Sequence, residues 1–311
     1  MKGNVALAER FDVHSQSTEA EGEFGPAERP TTPKPTELRM PNHKHLTRTA
    51  QITRAWIESD VFPLCERLRQ TEEVPPMLED RSVYCLFYEP SFLTRTSFEC
   101  AVGLLGGQAY HTEDASQFFP VRTPNYMDNT IHILASLHIN LVVLRSSDPG
   151  AVESAELADA LPVINGGSLD DHPTQALADL YTLKRELGDV DGVNVAIIGR
   201  LEHRNVSALL RGLALFRNVR ATLISFSGQV DPEVAAYCEG RGMSMVTESS
   251  VSAAAEADAV YLNGPRTLAH LRLLKSRGAF NLRIDDEFMS SLRSHCIIMD
   301  PMQRSGDFSV E

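Results

Sequence analysis

The chain has few of the features that mark a membrane, extracellular or nucleic-acid-binding protein. Its 311 residues, 42% hydrophobic and 23% charged, contain no uninterrupted apolar run near the roughly 20 residues that a membrane-spanning helix requires, so no membrane insertion is expected. Cationic residues are the minority, 29 Lys and Arg against 42 Asp and Glu, for a net charge of −13. Affinity for phosphate backbones comes mainly from clustered Lys and Arg, so a broad nucleic-acid surface is excluded and a small anionic ligand is not. The five cysteines, Cys65, Cys85, Cys100, Cys238 and Cys296, are scattered and odd in number, without metal-ligand spacing. They read as buried thiols, and neither a metal nor a cofactor is expected. The start of the chain has no apolar stretch after its basic residue and soon turns acidic. It is therefore neither a signal nor a transit peptide, and a cytoplasmic location is expected.

What is present is a repeated alternation. Residues 1–44 contain PAERPTTPKP and little apolar periodicity, which predicts a disordered extension. Folding starts near His45, where Ile52, Trp56, Val61, Leu64 and Leu68 recur at helical spacing. Apolar runs at 82–88, 140–145 and 161–166, with helical patterns at 94–105, 125–137 and 173–187, predict a first domain over 45–187. A second series over 188–311 has strands at 193–199, 221–226, 243–248, 259–263 and 296–300, and helices at 204–216 and 232–241. Fully apolar strands alternating with helices imply parallel sheets covered on both faces. The fold class is therefore α/β, with two doubly wound parallel-sheet domains joined where ELGDVDG ends a long helix.

In such sheets ligands bind beyond the carboxyl ends of the strands, and those positions are polar here. EPSFLTRTSFE follows the first strand, where Ser91, Thr94 and the opening amides of a helix form a candidate anion cradle. Arg145 ends the second strand, and NGGSLDDHPTQAL after the third presents His172 and Gln175 at a helix start. Asp170 and Asp171 read as groups that cap or charge that helix start. Arg95 and Glu99 lie four apart, which also fits a structural pair on the helix.

Two of these segments carry a family resemblance. FYEPSFLTRTSFE (87–99) is similar to the signature F-[FY]-E-x-S-T-R-T-R-x-S-F-E of the aspartate/ornithine carbamoyltransferases, and DHPTQALADLYTLKRELG (171–188) to their H-P-T-Q-A-L-x-D-x-x-T stretch. The resemblance runs from about His45 to Arg304 and is nearest to the aspartate branch. It implies two carbamoyltransferase-type domains, the first for carbamoyl phosphate and the second for an amino acid. The amine of that amino acid attacks the carbamoyl carbon and phosphate leaves. Position by position, Ser91 and Thr94 would contact phosphate, with Arg95 as a further candidate. Arg145 would bridge phosphate and carbonyl oxygen, His172 would polarise that oxygen, and Gln175 would hold the carbamoyl amino group. Arg204 fits a carboxylate-binding arginine, and Asp300-Pro301 stands where the family has the His-Pro of H-P-L-P-R. The resemblance also implies a homotrimer or a higher assembly of trimers, with a loop of a neighbouring subunit completing each site. That loop corresponds to 116–128, where Arg122 is the candidate replacement for a lysine and Phe118 falls near a serine.

The departures fall on charge. Leu93 stands where the family has its phosphate-binding arginine, and a leucine supplies none of the charge-assisted bonds of a guanidinium. Gly264 stands in place of a second carboxylate-binding arginine, with Arg266 two residues on as the candidate substitute. The residues from 305 to Glu311 are too few for the family's C-terminal helix. Transfer of a carbamoyl or related group to an amino acid such as aspartate is the leading reading. The alternatives are altered chemistry on the same scaffold, or a non-catalytic homologue that partners an active carbamoyltransferase.

Overall fold

The computed structural model of the protein describes residues 44–71, 74–117, 125–264 and 286–301. The extension read over 1–44 lies outside these, apart from Lys44. Among the described residues no helix is long and apolar enough to cross a membrane.

The chain enters beside the first sheet, where Leu46 makes a parallel bridge to Ile164. It then forms α1 over 54–70, in which a π-turn at Ile57–Val61 joins the α-helical Arg54–Trp56 and Phe62–Gln70. The first sheet follows with its helices: β1 (Ser82–Phe87), α2 (Phe92–Leu104), β2 (Gln108–His111), α3 (Tyr126–Ser136), β3 (Leu141–Arg145), α4 (Ala151–Ala158) and β4 (Val163–Asn165). Its strands are all parallel, in the order β2-β1-β3-β4. After α5 (Pro173–Leu187) the second sheet is built from β5 (Asn194–Arg200), α6 (Arg204–Leu213), β6 (Arg220–Ser227), α7 (Pro232–Glu239), β7 (Ser244–Glu248), β8 (Ala259–Asn263), α8 (Asp286–Ser291) and β9 (Ile297–Met299). It too is parallel, in the order β7-β6-β5-β8-β9. These are two parallel sheets with flanking helices, as the apolar strands implied.

Successive side chains on a strand point to opposite faces, so a strand apolar throughout needs cover on both. On β3, Val142 and Leu144 pack with Met127 and Ile131 of α3, while Val143 packs with Val102 of α2. On β5, Val195 and Ile197 face one cluster and Ala196 and Ile198 another.

The position of residue 188 separates the two sheets but not their cores. Leu180 and Leu183 of α5 are fully buried in the cluster that holds Val195, Ile197 and Leu209, and Trp56, Ile57 and Phe62 of α1 are buried in it too. Burying a leucine fully stabilises by roughly 1.5–3 kcal/mol, so α1 and α5 are held to the second sheet although they flank the first in sequence.

Three of the described elements escape the sequence pattern, β2, α4 and the six-residue α8. β2 is an edge strand with all four residues exposed, so it has no buried face to create an alternation. α4 is only eight residues long, and periodicity over two turns is weak. The thiol reading holds for Cys85 and Cys238, which are buried, whereas Cys100 is exposed on α2; all five are free.

Candidate functional site

The carboxyl ends of β1, β3, β4 and β5 bring the predicted polar residues together. Phe87 pairs with Arg145 in the β1–β3 register, and the amide of Tyr88 donates to the Arg145 carbonyl. The turn leading to Ser91 thus leaves β1 beside the strand end that carries the Arg145 guanidinium. Ser91 is the N-cap of α2, yet its side chain caps no amide. The first N–H groups of a helix have no intrahelical partner and carry the positive end of its dipole. Thr94 is half-buried within that first turn, while Phe92 and Leu93 are 64% and 51% exposed.

Arg145 is buried and donates to the Gly166 carbonyl at 3.1 Å. Gly167, with φ of +117°, lies close to both its guanidinium and His172. A Cβ on Gly167 would lie 2.6 Å from the arginine Nη1 and 3.2 Å from the histidine Cδ2. Only a residue without a side chain leaves room for both groups in that backbone conformation.

His172 is the buried N-cap residue of α5. Its backbone amide donates to Asp171, whose carboxylate also accepts from the Thr49 amide at 2.8 Å and hydroxyl at 2.5 Å. Asp171 therefore charges the helix start as anticipated and ties it to the segment entering from residue 44. The Thr174 hydroxyl lies 3.3 Å from the His172 Nδ1; a bond donated there leaves Nε2 to carry the ring proton. Burial, followed by the positive charges of Arg145 and Arg204 and by His203, lowers the His172 pKa from 6.5 to about 3. The ring is neutral at physiological pH, a hydrogen-bond donor rather than a cation.

This shift has a consequence for stability. An unfolded histidine takes up a proton near pH 6.5, and the folded ring does so only near 3. Stability associated with His172 is thus fully present above about pH 6.5 and is lost as pH falls toward 3, by at most about 1.4 kcal/mol per pH unit. His172→Asn removes this contribution. Urea unfolding of wild type and variant between pH 4 and 7 should show a shallower pH dependence in the variant; equal slopes would mean that the folded ring is protonated.

Arg204 opens α6, with His203 as its N-cap. It is buried and reaches across to the first sheet, donating to the Ser168 carbonyl at 2.7 Å, to Glu89 at 3.2 Å and to the Ser147 hydroxyl at 3.4 Å. Glu89 lies between the arginines, 4.0 Å from the Arg145 Nε, and accepts from the Ser147 hydroxyl at 2.6 Å. Burial pulls the Glu89 carboxyl up, but the Ser147 bond and the two guanidinium groups outweigh it and leave it below the usual carboxylate value. The carboxylate is an internal counter-ion for two buried cations.

Gln175, in the first turn of α5, donates to the Asp179 carboxylate at 2.9 Å, and the Tyr261 hydroxyl donates to the other carboxylate oxygen at 2.9 Å. Burial pushes the Asp179 carboxyl up to about 7 against both bonds.

The other predicted residues are less central. Arg95 is engaged by Glu99 and Glu113, each at 3.5 Å, the structural pairing its spacing allowed. Pro301 is half-buried just after β9, at the sheet edge beside β8. Arg122, Arg266 and Phe118 lie outside the described residues, as does the 118–124 part of the predicted subunit-completing loop. Gly264 follows β8, and the register that pairs Gly199 with Asn263 makes Arg200 its neighbour across β5. Arg200 is held by Glu202 at 3.3 Å.

Sequence reasoning gave no role to Glu89, Ser147, Ser168 or Asp179. Glu89 and Asp179 had a signal available, each filling the acidic position of one of the two motifs quoted above.

Residues 44–185 match the family described as aspartate/ornithine carbamoyltransferase, carbamoyl-P binding domain. Over 273 residues the chain is 32% identical to the aspartate carbamoyltransferase catalytic subunit of Methanococcus vannielii, covering 84% of this chain and 86% of that one. It is 31% identical over 254 residues to the chloroplastic aspartate carbamoyltransferase 2 of Pisum sativum, covering 79% of this chain and 65% of the pea protein, under two thirds of its length. Among solved structures, the M. jannaschii aspartate transcarbamoylase catalytic subunit superposes with a TM-score of 0.73 at 28% identity, over 85% of this chain and 87% of that one. The Trypanosoma cruzi aspartate transcarbamoylase in complex with carbamoyl phosphate and aspartate gives 0.74 at 26% identity, over 86% and 87%.

Proposed function

This chain belongs to the aspartate/ornithine carbamoyltransferase family, and from that premise we propose that it transfers a carbamoyl group from carbamoyl phosphate or a close analogue to the amine of an amino acid such as aspartate. The observation that carries the reading is the packing of a neutral His172 against the Arg145 guanidinium across Gly167.

In this chemistry the amine lone pair forms a bond to the carbamoyl carbon, negative charge builds on the carbonyl oxygen, and the bond to the phosphate oxygen breaks. The amine gives up a proton, which the departing phosphate accepts. Preorganised donors aimed at the developing oxyanion lower such a barrier. A neutral imidazole N–H beside a guanidinium supplies two, and neither His172 nor Arg145 must change protonation state. The Gln175 amide recognises the carbamoyl NH2, the first turn of α2 with Ser91 and Thr94 receives the phosphate, and Arg204 receives an acceptor carboxylate in exchange for Glu89.

One observation favours the second reading, altered chemistry on the same scaffold: the solvent-facing Phe92–Leu93 pair at the mouth of the cradle suits a less anionic donor. Both readings meet in one assay, in which purified protein is given carbamoyl phosphate and a panel of amino acids and the ureido product is measured. Ureido formation with aspartate or another member supports carbamoyl transfer; none at any donor concentration rejects it.

We also propose a homotrimer or an assembly of trimers. Leu104 on α2 and Tyr110 on β2 are exposed on neighbouring elements, a surface suited to a second copy of the chain. Sedimentation at micromolar concentration should give a trimer or a multiple of it; monomer alone would reject the assembly.

A further inference from the structure

We propose that Asp179 is the positioning residue for Gln175, fixing which end of that amide the site presents; the functional side of this rests on the reading that Gln175 meets the carbamoyl NH2 of the donor. Asp179 lies one turn after Gln175 on α5 and is 5% exposed. Its two carboxylate oxygens have different partners, Gln175 Nε2 on one and the Tyr261 hydroxyl on the other, each at 2.9 Å. Tyr261 is fully buried on β8, so it pins the carboxylate against rotation from the second sheet.

The chemistry of the pair leaves one arrangement. An ionised carboxylate accepts and does not donate, so the end of the Gln175 amide turned toward it is the NH2. The carbonyl is then left for the crevice, and a carbonyl is what a carbamoyl NH2 requires. The reversed amide would set two donors against each other. An exposed Gln–Asp pair at this spacing would be an ordinary helix contact of a few tenths of a kcal/mol. Here the acceptor is buried and shared with a second buried donor, so turning the amide over would leave a buried group unsatisfied. Asparagine at 179 keeps the shape but offers one acceptor and one donor. With Tyr261 claiming the acceptor, its NH2 faces Gln175 and favours the reversed amide.

Two readouts on the full-length protein at pH 8, where the carboxylate is ionised, test the proposal. In the first, the Gln175 side-chain NH2 resonance is assigned by its loss in Gln175→Ala. It should exchange with solvent more slowly than those of surface glutamines, and Asp179→Asn should shift it and speed its exchange. Tyr261→Phe, which frees the carboxylate to turn, should move it in the same direction by less, and it carries the measurement if Asp179→Asn does not fold. A resonance unmoved by these variants overturns the proposal. In the second readout, ureido formation, Asp179→Asn should lower kcat/KM for carbamoyl phosphate by about 10- to 150-fold and leave the KM for the amino acid unchanged. In the Gln175→Ala background the same substitution should change kcat/KM by less than about twofold. Equal losses in both backgrounds would make Asp179 a structural residue only and overturn the proposal. If wild type forms no ureido product while the resonance responds as described, the carbamoyl-transfer reading falls and the positioning role stands.

Discussion

His172→Ala is expected to lower turnover by about 10²–10³-fold, the usual cost of removing one preorganised donor from a developing oxyanion. The size follows from the environment of the ring. It is buried, neutral and packed beside Arg145, so its hydrogen bond to a substrate oxygen acts in a water-poor crevice and requires no reorganisation when charge develops. The loss should fall on kcat more than on KM, because the oxygen bears most of its charge only in the transition state. Arg145 and the α2 cradle remain, so binding of the donor should persist. Steady-state ureido formation, with circular dichroism to show that the variant is folded, decides the matter. An unchanged kcat would remove His172 from the mechanism.

Leu93→Arg is expected to tighten carbamoyl phosphate by about 10- to 150-fold, because a restored guanidinium supplies a charge-assisted partner of roughly 1.5–3 kcal/mol. Two opposing effects are smaller. A cation in the first turn of a helix meets the positive end of the dipole, an unfavourable effect of about 0.3–1 kcal/mol. Folding should change by no more than about 0.5 kcal/mol, as for other surface substitutions, since Leu93 is half-exposed and forms no part of either core. Calorimetry with carbamoyl phosphate on wild type and variant measures the difference. If the folded variant shows no binding at all, the site does not accept this donor and carbamoyl transfer is abandoned for altered chemistry or a non-catalytic role.

The fold was legible because the central strands, β1, β3, β5 and β8, are largely apolar. A run such as NVAIIG, with both faces needing cover, is compatible with a parallel sheet and little else. Arg145, His172 and Arg204 were legible for a related reason, since each lies where a strand end gives way to a turn, the place where such sheets bind ligands. The roles of Glu89 and Asp179 were not. Glu89 fills the acidic position of the first motif, but that it lies between two arginines from segments far apart in sequence shows only in the folded chain. Asp179 fills the acidic position of the second motif, four residues after Gln175, but only burial and the approach of Tyr261 from β8 make it an oriented acceptor. The assignment of α1 and α5 to the second sheet's core was hidden as well, because an amphipathic helix shows that it has a partner and not which one.

The sequence by itself therefore determined two parallel sheets and the polar and charged residues at their strand ends, since each depends on local periodicity and on the residue types that follow a strand. The tertiary structure decided the rest: that Arg204 crosses to Glu89, that His172 is held neutral beside Arg145, and that Gln175 is turned by a carboxylate pinned from β8. Those properties come from burial and from charges distant in sequence, which act on a group only once the chain has folded around it.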